Sequence, residues 1–287
     1  MNILNFFESL AKGKIANIGI GLGSEQSQNL KVYKTTQYFL KKNSSKIYFF
    51  GEPKAVSQIL NNSSTSKNNI ELIESSEPEE EIIYYLKENI INAIIRGNLS
   101  SSKFLMHLKH KLNISEINRL ALLESFDGKQ FFFGPVGIDE CNDYQKKIHF
   151  IENAIILFQS LDIEPRISIL SGGRLGDIGR DVYVDKTITI AKQIVNHLKD
   201  KYPKLNIKHD EILIEASLKN KSNLIIAPDG ISGNLIYRTL VHLGGGKAYG
   251  AIYVGLDSTI IDTSRVGKTS EIEGALILSL ALVNLNQ

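Results

Sequence analysis

The apolar residues of this chain fall into two alternating rhythms. Short, nearly continuous runs at residues 46–50, 70–73, 90–95, 130–133, 166–170, 224–227 and 249–254 have strand length and are bounded by turn residues. Between them, apolar side chains three and four apart predict helices over 2–12, 26–42, 53–60, 144–160 and 187–201. Residues 61–69 are rich in Ser and Asn and read as an exposed loop. A final helix starting near Ser270 is apolar nearly all round, so it is buried in the core or against another subunit. Strands alternating with helices predict a parallel sheet with helices on both faces, and ligands in such sheets gather at the carboxyl ends of the strands.

The stretch 223–265 carries the densest signal. A buried strand ends at Pro228-Asp229-Gly230, and Ser232-Gly233-Asn234 opens a helix for which Ser232 is the expected N-cap. Gly244, Gly245 and Gly246 stop that helix, and a further strand leads to Asp262-Thr263-Ser264-Arg265. A strand, a glycine-rich turn and a helix N-terminus aim backbone N–H groups and a helix dipole at one point, which suits an anion, phosphate above all. The competing reading is a tight turn that needs glycine only for its backbone.

Three other places carry chemistry. Ser171-Gly172-Gly173-Arg174 follows a strand, and Arg174 and Arg180 among glycines suit a phosphate or carboxylate; an internal network with Asp177, Asp181 and Asp185 is the alternative. Arg96, at a strand end before Gly97 and a helix start, is either a second anion contact or a surface arginine. Gly19, Gly21 and Gly23 form a G-x-G-x-G turn after the first strand, with Glu52 placed after the next strand as a ribose partner. That pattern lacks the third glycine spacing of a dinucleotide fingerprint. Glu77, Glu79, Glu80 and Glu81 read as a solvated helix start.

Composition narrows the choices. At 287 residues the chain is long enough for one large α/β domain or two small ones, and its net charge of +2 suggests neither disorder nor a dedicated nucleic-acid surface. The single cysteine, Cys141, excludes an intramolecular disulfide and fits a reducing, cytoplasmic setting. His107 and His110 lack the acidic or cysteine partners of a metal site, so no metal is expected. No secretory leader is read at the N-terminus, and the most apolar segment, 275–283, is too short to span a bilayer.

The blocks PDGISGN followed by IYR, then Ala-Tyr-Gly and Asp-Thr-Ser-Arg, resemble the C-terminal signature of the phosphate acetyltransferase and butyryltransferase family. GPVGIDE at 134–140 and SGGRLGDIGR at 171–180 resemble the MtxX branch of methanogens, a methanogenesis marker family described as a candidate methyltransferase. The resemblance implies an isocitrate/isopropylmalate dehydrogenase-like (phosphate acyltransferase-like) fold and a cytoplasmic homodimer. Its two α/β domains, 1–135 with 256–287 and 136–255, would flank a cleft and join near 134–137 and 256–258. It implies a small-molecule substrate and coenzyme A or a related phosphorylated cofactor, with nothing attached covalently.

Carried over residue by residue, Ser264 would orient a thiol, Arg265 would hold phosphate and Glu271 would act as base. The phosphate ligands would be Ser171, Gly172, Gly173, Arg174, Arg180, Asp229, Gly230, Ser232, Gly233, Asn234 and Arg96. Val266 stands where the family has glycine, and Glu271 where it has aspartate. Three functions follow as alternatives: acyl transfer between a thioester and phosphate, S-adenosylmethionine- or corrinoid-linked methyl transfer, and non-catalytic binding of a phosphorylated ligand.

Overall fold

The computed structural model describes residues 2–61 and 69–283, so most of the expected loop at 61–69 lies outside the described residues. The chain divides into two compact units, Met1–Ile117 with Ala248–Gln287, and Asn118–Lys247. The strand at 130–134, which the resemblance assigns to the first domain, pairs within the second unit.

In chain order the first unit begins with α1 (Ile3–Ala11), β1 (Asn17–Gly21), α2 (Gln26–Phe39), β2 (Lys46–Gly51) and α3 (Pro53–Leu60). It continues through β3 (Ile70–Glu74), α4 (Pro78–Lys87), β4 (Ala93–Ile95) and α5 (Ser101–Leu112). The second unit holds β5 (Arg119–Glu124), β6 (Gln130–Gly134), α6 (Tyr144–Ser160), β7 (Arg166–Leu170) and α7 (Val182–Lys201). It closes with β8 (Asn206–Glu211), α8 (Ile214–Lys219), β9 (Leu224–Ile226) and α9 (Gly230–Arg238). The chain then returns to the first unit as β10 (Lys247–Tyr253), β11 (Thr259–Asp262) and α10 (Thr269–Leu282).

The strands of the first unit lie in the order β3-β2-β1-β4-β11-β10. All neighbours are parallel except β10 and β11, which run antiparallel. Alternation along β2 explains the layers. Tyr48 and Phe50 join a buried cluster with Ile82 and Leu86 of α4 and Phe104 and Leu108 of α5. Phe49 points the other way, its ring 5.7 Å from Tyr33 of α2. Each such aromatic contributes about 1.5–3 kcal/mol by leaving water. The final helix α10 packs on α1, α2, β4 and β11, so its all-round apolar character belongs to the core of this unit.

The second unit orders its strands β5-β6-β9-β7-β8. β5 and β6 are an antiparallel hairpin around a turn in which Gly128 takes a left-handed φ of 81°, and the others are parallel. The sheets therefore depart from the all-parallel expectation at β5–β6 and β10–β11, where the connections are too short for a crossover helix. Periodicity overlooked β5, and the start of α7 comes earlier than expected because Asp181 caps it, accepting from Tyr183 N (2.9 Å) and Val184 N (3.1 Å). Among the described residues no helix is long and apolar enough to cross a membrane.

Between β1 and β4 the chain reverses its winding, and the loops after those strands pack back to back. Gly97 has φ 61°, and a Cβ there would drive into the carbonyl of Gly21. Gly97→Ala should therefore lose about 2 kcal/mol or more, read as a lower urea midpoint at unchanged slope.

Candidate functional site

The loops at the carboxyl ends of β4 and β11 are tied by one arginine. Arg96 is buried, and its Nε pairs with the Asp262 carboxylate while its other nitrogens donate to the carbonyls of Leu99 (2.7 Å) and Thr263. It is neither a surface arginine nor an open anion contact; its donors hold protein oxygens. The loop it secures carries Ser264 and Arg265. Ser264 N–H donates to Glu271 Oε1 at 2.8 Å, and Gly267 N–H to the Ser264 carbonyl at 2.8 Å. Glu271 is only 3% exposed, in the first turn of α10. Arg265 is exposed beside it and makes no ion pair among the described residues.

Arg265 lines a cavity of about 230 Å³ in the first unit. Gly23 and Ser24 after β1, Glu52 and Lys54 after β2, and Asn98, Ser100 and Lys103 around the start of α5 also line it. In a doubly wound sheet this is the favoured place for a ligand, outside the carboxyl ends of strands where the winding reverses. The glycine turn and Arg265, expected to serve rival sites, share this one.

The glycine turn itself is not open to a phosphate. Cβ atoms at Gly21 and Gly23 would collide with Leu99, Arg96 and Asn98, so these glycines serve loop packing. Asn29, fully buried on α2, accepts from Gly23 N–H (3.0 Å), donates to the Gly23 carbonyl (2.7 Å) and accepts from Asn98 Nδ2 (3.0 Å). It fills with protein groups the space a pyrophosphate would need. The acidic start of α4 also differs from its expected solvated state: Glu79 is 5% exposed and accepts from Ser100 N–H at 3.0 Å, while the first N–H groups of α5 take no cap from the Ser100 side chain.

The remaining candidates belong to the second unit. Asp229, not Ser232, is the N-cap of α9, accepting from Ser232 N–H at 2.8 Å. An aspartate reaches the third N–H of the helix when its own backbone is extended, and here it precedes the glycine. Burial pushes the Asp229 carboxyl upward, but hydrogen bonds from Ser232 and the Tyr183 hydroxyl (2.8 Å) and the charge of Lys147 outweigh it and hold it below the usual range. Lys147, buried, donates to the Pro228 carbonyl, and burial lowers its ammonium pKa.

Gly230 N–H goes to the Glu140 carbonyl (3.1 Å), Gly233 N–H to the Asp229 carbonyl (2.9 Å), and Asn234 Nδ2 to the Val136 carbonyl (2.8 Å). Side chains at Gly230 or Gly233 would strike the 135–137 backbone. Much of this turn's donor capacity is thus spent inside the protein. Glu140 is itself held by Arg119, Nε to Oε1 at 2.6 Å, both buried.

In the 171–180 loop, Ser171 is buried and donates to the Gly173 carbonyl (2.8 Å), so His209 Nε2, 2.8 Å away, supplies the proton of their contact. Gly172 N–H binds Thr187 Oγ1 (2.8 Å). Arg180 pairs with Asp177 at 2.6 Å, and Asp177 also accepts from Arg174 N–H (2.8 Å). The Arg174 side chain is exposed. Lys54 and Lys103 escaped sequence reading, and Asn98 and Ser100 were legible only as the end of a strand and the start of a helix; their shared signal is position, on the segments that follow strand ends. Among the described residues no group of metal-ligating side chains assembles.

Residues 85–280 match the family model "Phosphate acetyl/butaryl transferase". The chain is 36% identical over 285 residues to "Putative methyltransferase mtx subunit X" of Methanosarcina mazei, covering 99% of this chain and 96% of that protein. The protein of the same name from Methanosarcina barkeri is 42% identical over 218 residues, 76% of this chain and 79% of its own. Among solved structures, a phosphotransacetylase from Streptococcus pyogenes superposes with a TM-score of 0.73 at 16% identity, covering 99% of both chains, which shows the fold.

His209 gives this unit a pH dependence with a definite sign. Burial lowers its pKa, opposed by Glu211 and Asp210 and reinforced by Lys192. The unfolded chain then binds more protons than the folded one below about 6.5, so stability falls as pH drops through that value. Urea midpoints of wild type and His209→Gln, followed from about pH 7.5 to 5, should diverge, with wild type losing more on the acid side.

Proposed function

The chain belongs to the phosphate acetyl/butaryl transferase family, among relatives named as subunit X of a methyltransferase, and from that premise we propose that it is a transferase that binds a phosphorylated or coenzyme A-like ligand through Arg265. The observation that carries this reading is the placement of Arg265 on the cavity where the winding of the first unit reverses, which Lys54 and Lys103 also line. Three cations at one concave site favour a multiply charged anion, and a guanidinium fork grips its oxygens in pairs.

Within this reading Ser264 and Arg265 face the ligand, and Glu271 is a positioning residue. A carboxylate 3% exposed, holding the Ser264 N–H, sets the loop that presents Arg265. Arg96 supports the same loop from the other side. The 171–180 and 229–234 loops enter as elements that present Arg174 and order the second unit. Methyl transfer from S-adenosylmethionine draws less support, because Asn29 and Asn98 close the glycine turn that would take the donor.

Isothermal titration of wild type and Arg265→Ala with coenzyme A and with S-adenosylmethionine tests the reading. Coenzyme A should bind wild type and weaken by about 1.5–3 kcal/mol in the variant, the range for a charged hydrogen bond. S-adenosylmethionine that binds tightly and indifferently to the substitution would overturn it.

A homodimer also belongs to this proposal. The Tyr183–Asp229 hydrogen bond brings the start of α7 beside the start of α9, where Val182 is 86% and Ile231 60% exposed, with Ile178 and Leu235 near in sequence. Light scattering should give a dimer mass for wild type and a monomer mass for the double variant Val182→Glu, Ile231→Glu.

A further inference from the structure

The cavity of the first unit holds more unmatched chemistry than an anion alone would use. On the cationic side, Lys54 and Arg265 make no ion pair among the described residues, and Lys103 approaches Glu77 only at 3.6 Å. α5 opens on the same wall with no side-chain cap from Ser100, and the N–H groups of Ser101, Ser102 and Lys103 have no acceptor among the described residues. α3 and α4 start there too, but Pro53 and Pro78 leave their first positions without a donor. The donors therefore concentrate at α5.

The opposite need is present as well. Glu79 and Asn98 line the cavity at 5% and 8% exposure. Glu79 spends Oε1 on Ser100 N–H, and the Asn98 amide nitrogen goes to Asn29. Glu79 Oε2 and Asn98 Oδ1 accept no hydrogen bond among the described residues. These open acceptors on otherwise buried residues line the cavity and can take donors from whatever fills it. The Glu52 carboxylate, exposed at the rim, also has no partner among the described residues. Cations and N–H groups ask for a phosphate; two open acceptors and a rim carboxylate ask for hydroxyls. At about 230 Å³ the space lies below the roughly 300–1,000 Å³ of sites that enclose drug-sized ligands.

We infer that this cavity takes a small hydroxylated phosphomonoester, its phosphate against the first turn of α5 between Lys103, Lys54 and Arg265, its hydroxyls donating to Glu79, Asn98 and Glu52. The inference rests on the reading of Arg265 as a ligand contact and adds the ligand's class. A phosphodiester offers fewer terminal oxygens than a monoester to the three cations and the α5 N–H groups, and a coenzyme A molecule would place only one end here.

Titration calorimetry on the full chain with four probes tests it: inorganic phosphate, ethyl phosphate, glycerol 3-phosphate and coenzyme A. Glycerol 3-phosphate should bind about tenfold or more tighter than ethyl phosphate. Lys103→Ala should weaken both monoesters about tenfold or more. Glu79→Gln keeps an oxygen for Ser100 N–H but replaces the other with a donor, so it should remove the advantage of glycerol 3-phosphate and leave ethyl phosphate unchanged. Should that variant fold poorly by urea titration, Glu52→Gln at the exposed rim should cut the same preference about threefold. Equal binding of the two monoesters by wild type, a preference that survives both carboxylate changes, or binding by coenzyme A alone would each overturn the inference. If only coenzyme A binds and Arg265→Ala weakens it, the ligand class fails while the transferase reading stands. If Arg265→Ala alters no phosphorylated probe, both fail.

Discussion

The buried pair of Arg96 and Asp262 is the interaction on which the first unit's site depends. It joins the end of β4 to the end of β11 and adds the carbonyls of Leu99 and Thr263 to the same guanidinium. A buried arginine is tolerable only when its donors are all used on oxygens, because an unpaired charge in the interior costs several kcal/mol. That requirement fixes both loops at once. On one side it sets the start of α5, whose N–H groups open onto the cavity; on the other it sets the turn that carries Ser264 and Arg265. Two arginines of the same unit thus have opposite tasks. Arg96 is consumed by the scaffold so that Arg265 can be presented outside it.

A second constraint is the close packing of the loops after β1 and β4. Gly21, Gly23 and Gly97 lack side chains because each meets backbone or the Leu99 side chain, and Asn29 seals the turn with three hydrogen bonds. The winding reversal that makes a cavity possible also uses up the glycine turn that, in a dinucleotide fold, would cradle phosphate. The uncommitted N–H groups lie one loop over, at the start of α5. The second unit shows the same economy: the turn after β9 gives its N–H groups to the 135–140 loop and to Asp229, leaving exposed arginine and apolar side chains as its outward chemistry.

How far the sequence could be read follows from what each signal measures. Strand runs such as 166–170 and helices such as 144–160 matched because apolar periodicity reports burial, and burial is what those elements do. β5 was overlooked because Arg119-Leu-Ala-Leu-Leu-Glu124 carries no alternation; buried on both faces, it reads equally as helix. The N-cap of α9 was placed three residues late because Asp229 and Ser232 are both good caps, and only backbone geometry chooses between them. Of the site, Arg265 was legible through its motif. Lys103, Asn98 and Glu79 were not, since nothing local marks them; strand order brings them together, and strand order is a long-range property. Glu79 looked solvated for the same reason, four acidic residues within five positions giving no hint that one turns inward to the Ser100 N–H.

The departures from the family pattern make physical sense together. The resemblance leads one to expect glycine directly after the arginine and an aspartate further on, whereas this chain has Val266, Gly267 and Glu271. The longer carboxylate reaches back from the first turn of α10 to the Ser264 N–H, and its other oxygen comes so close to Gly267 that any Cβ there would collide with it. Gly267, one position further along, stands where the Glu271 carboxylate needs room. Val266, freed from that role, is half exposed at the surface. The loop bearing Arg265 is thereby held by a buried carboxylate to a backbone N–H, and that bond sets the position from which the arginine reaches the cavity.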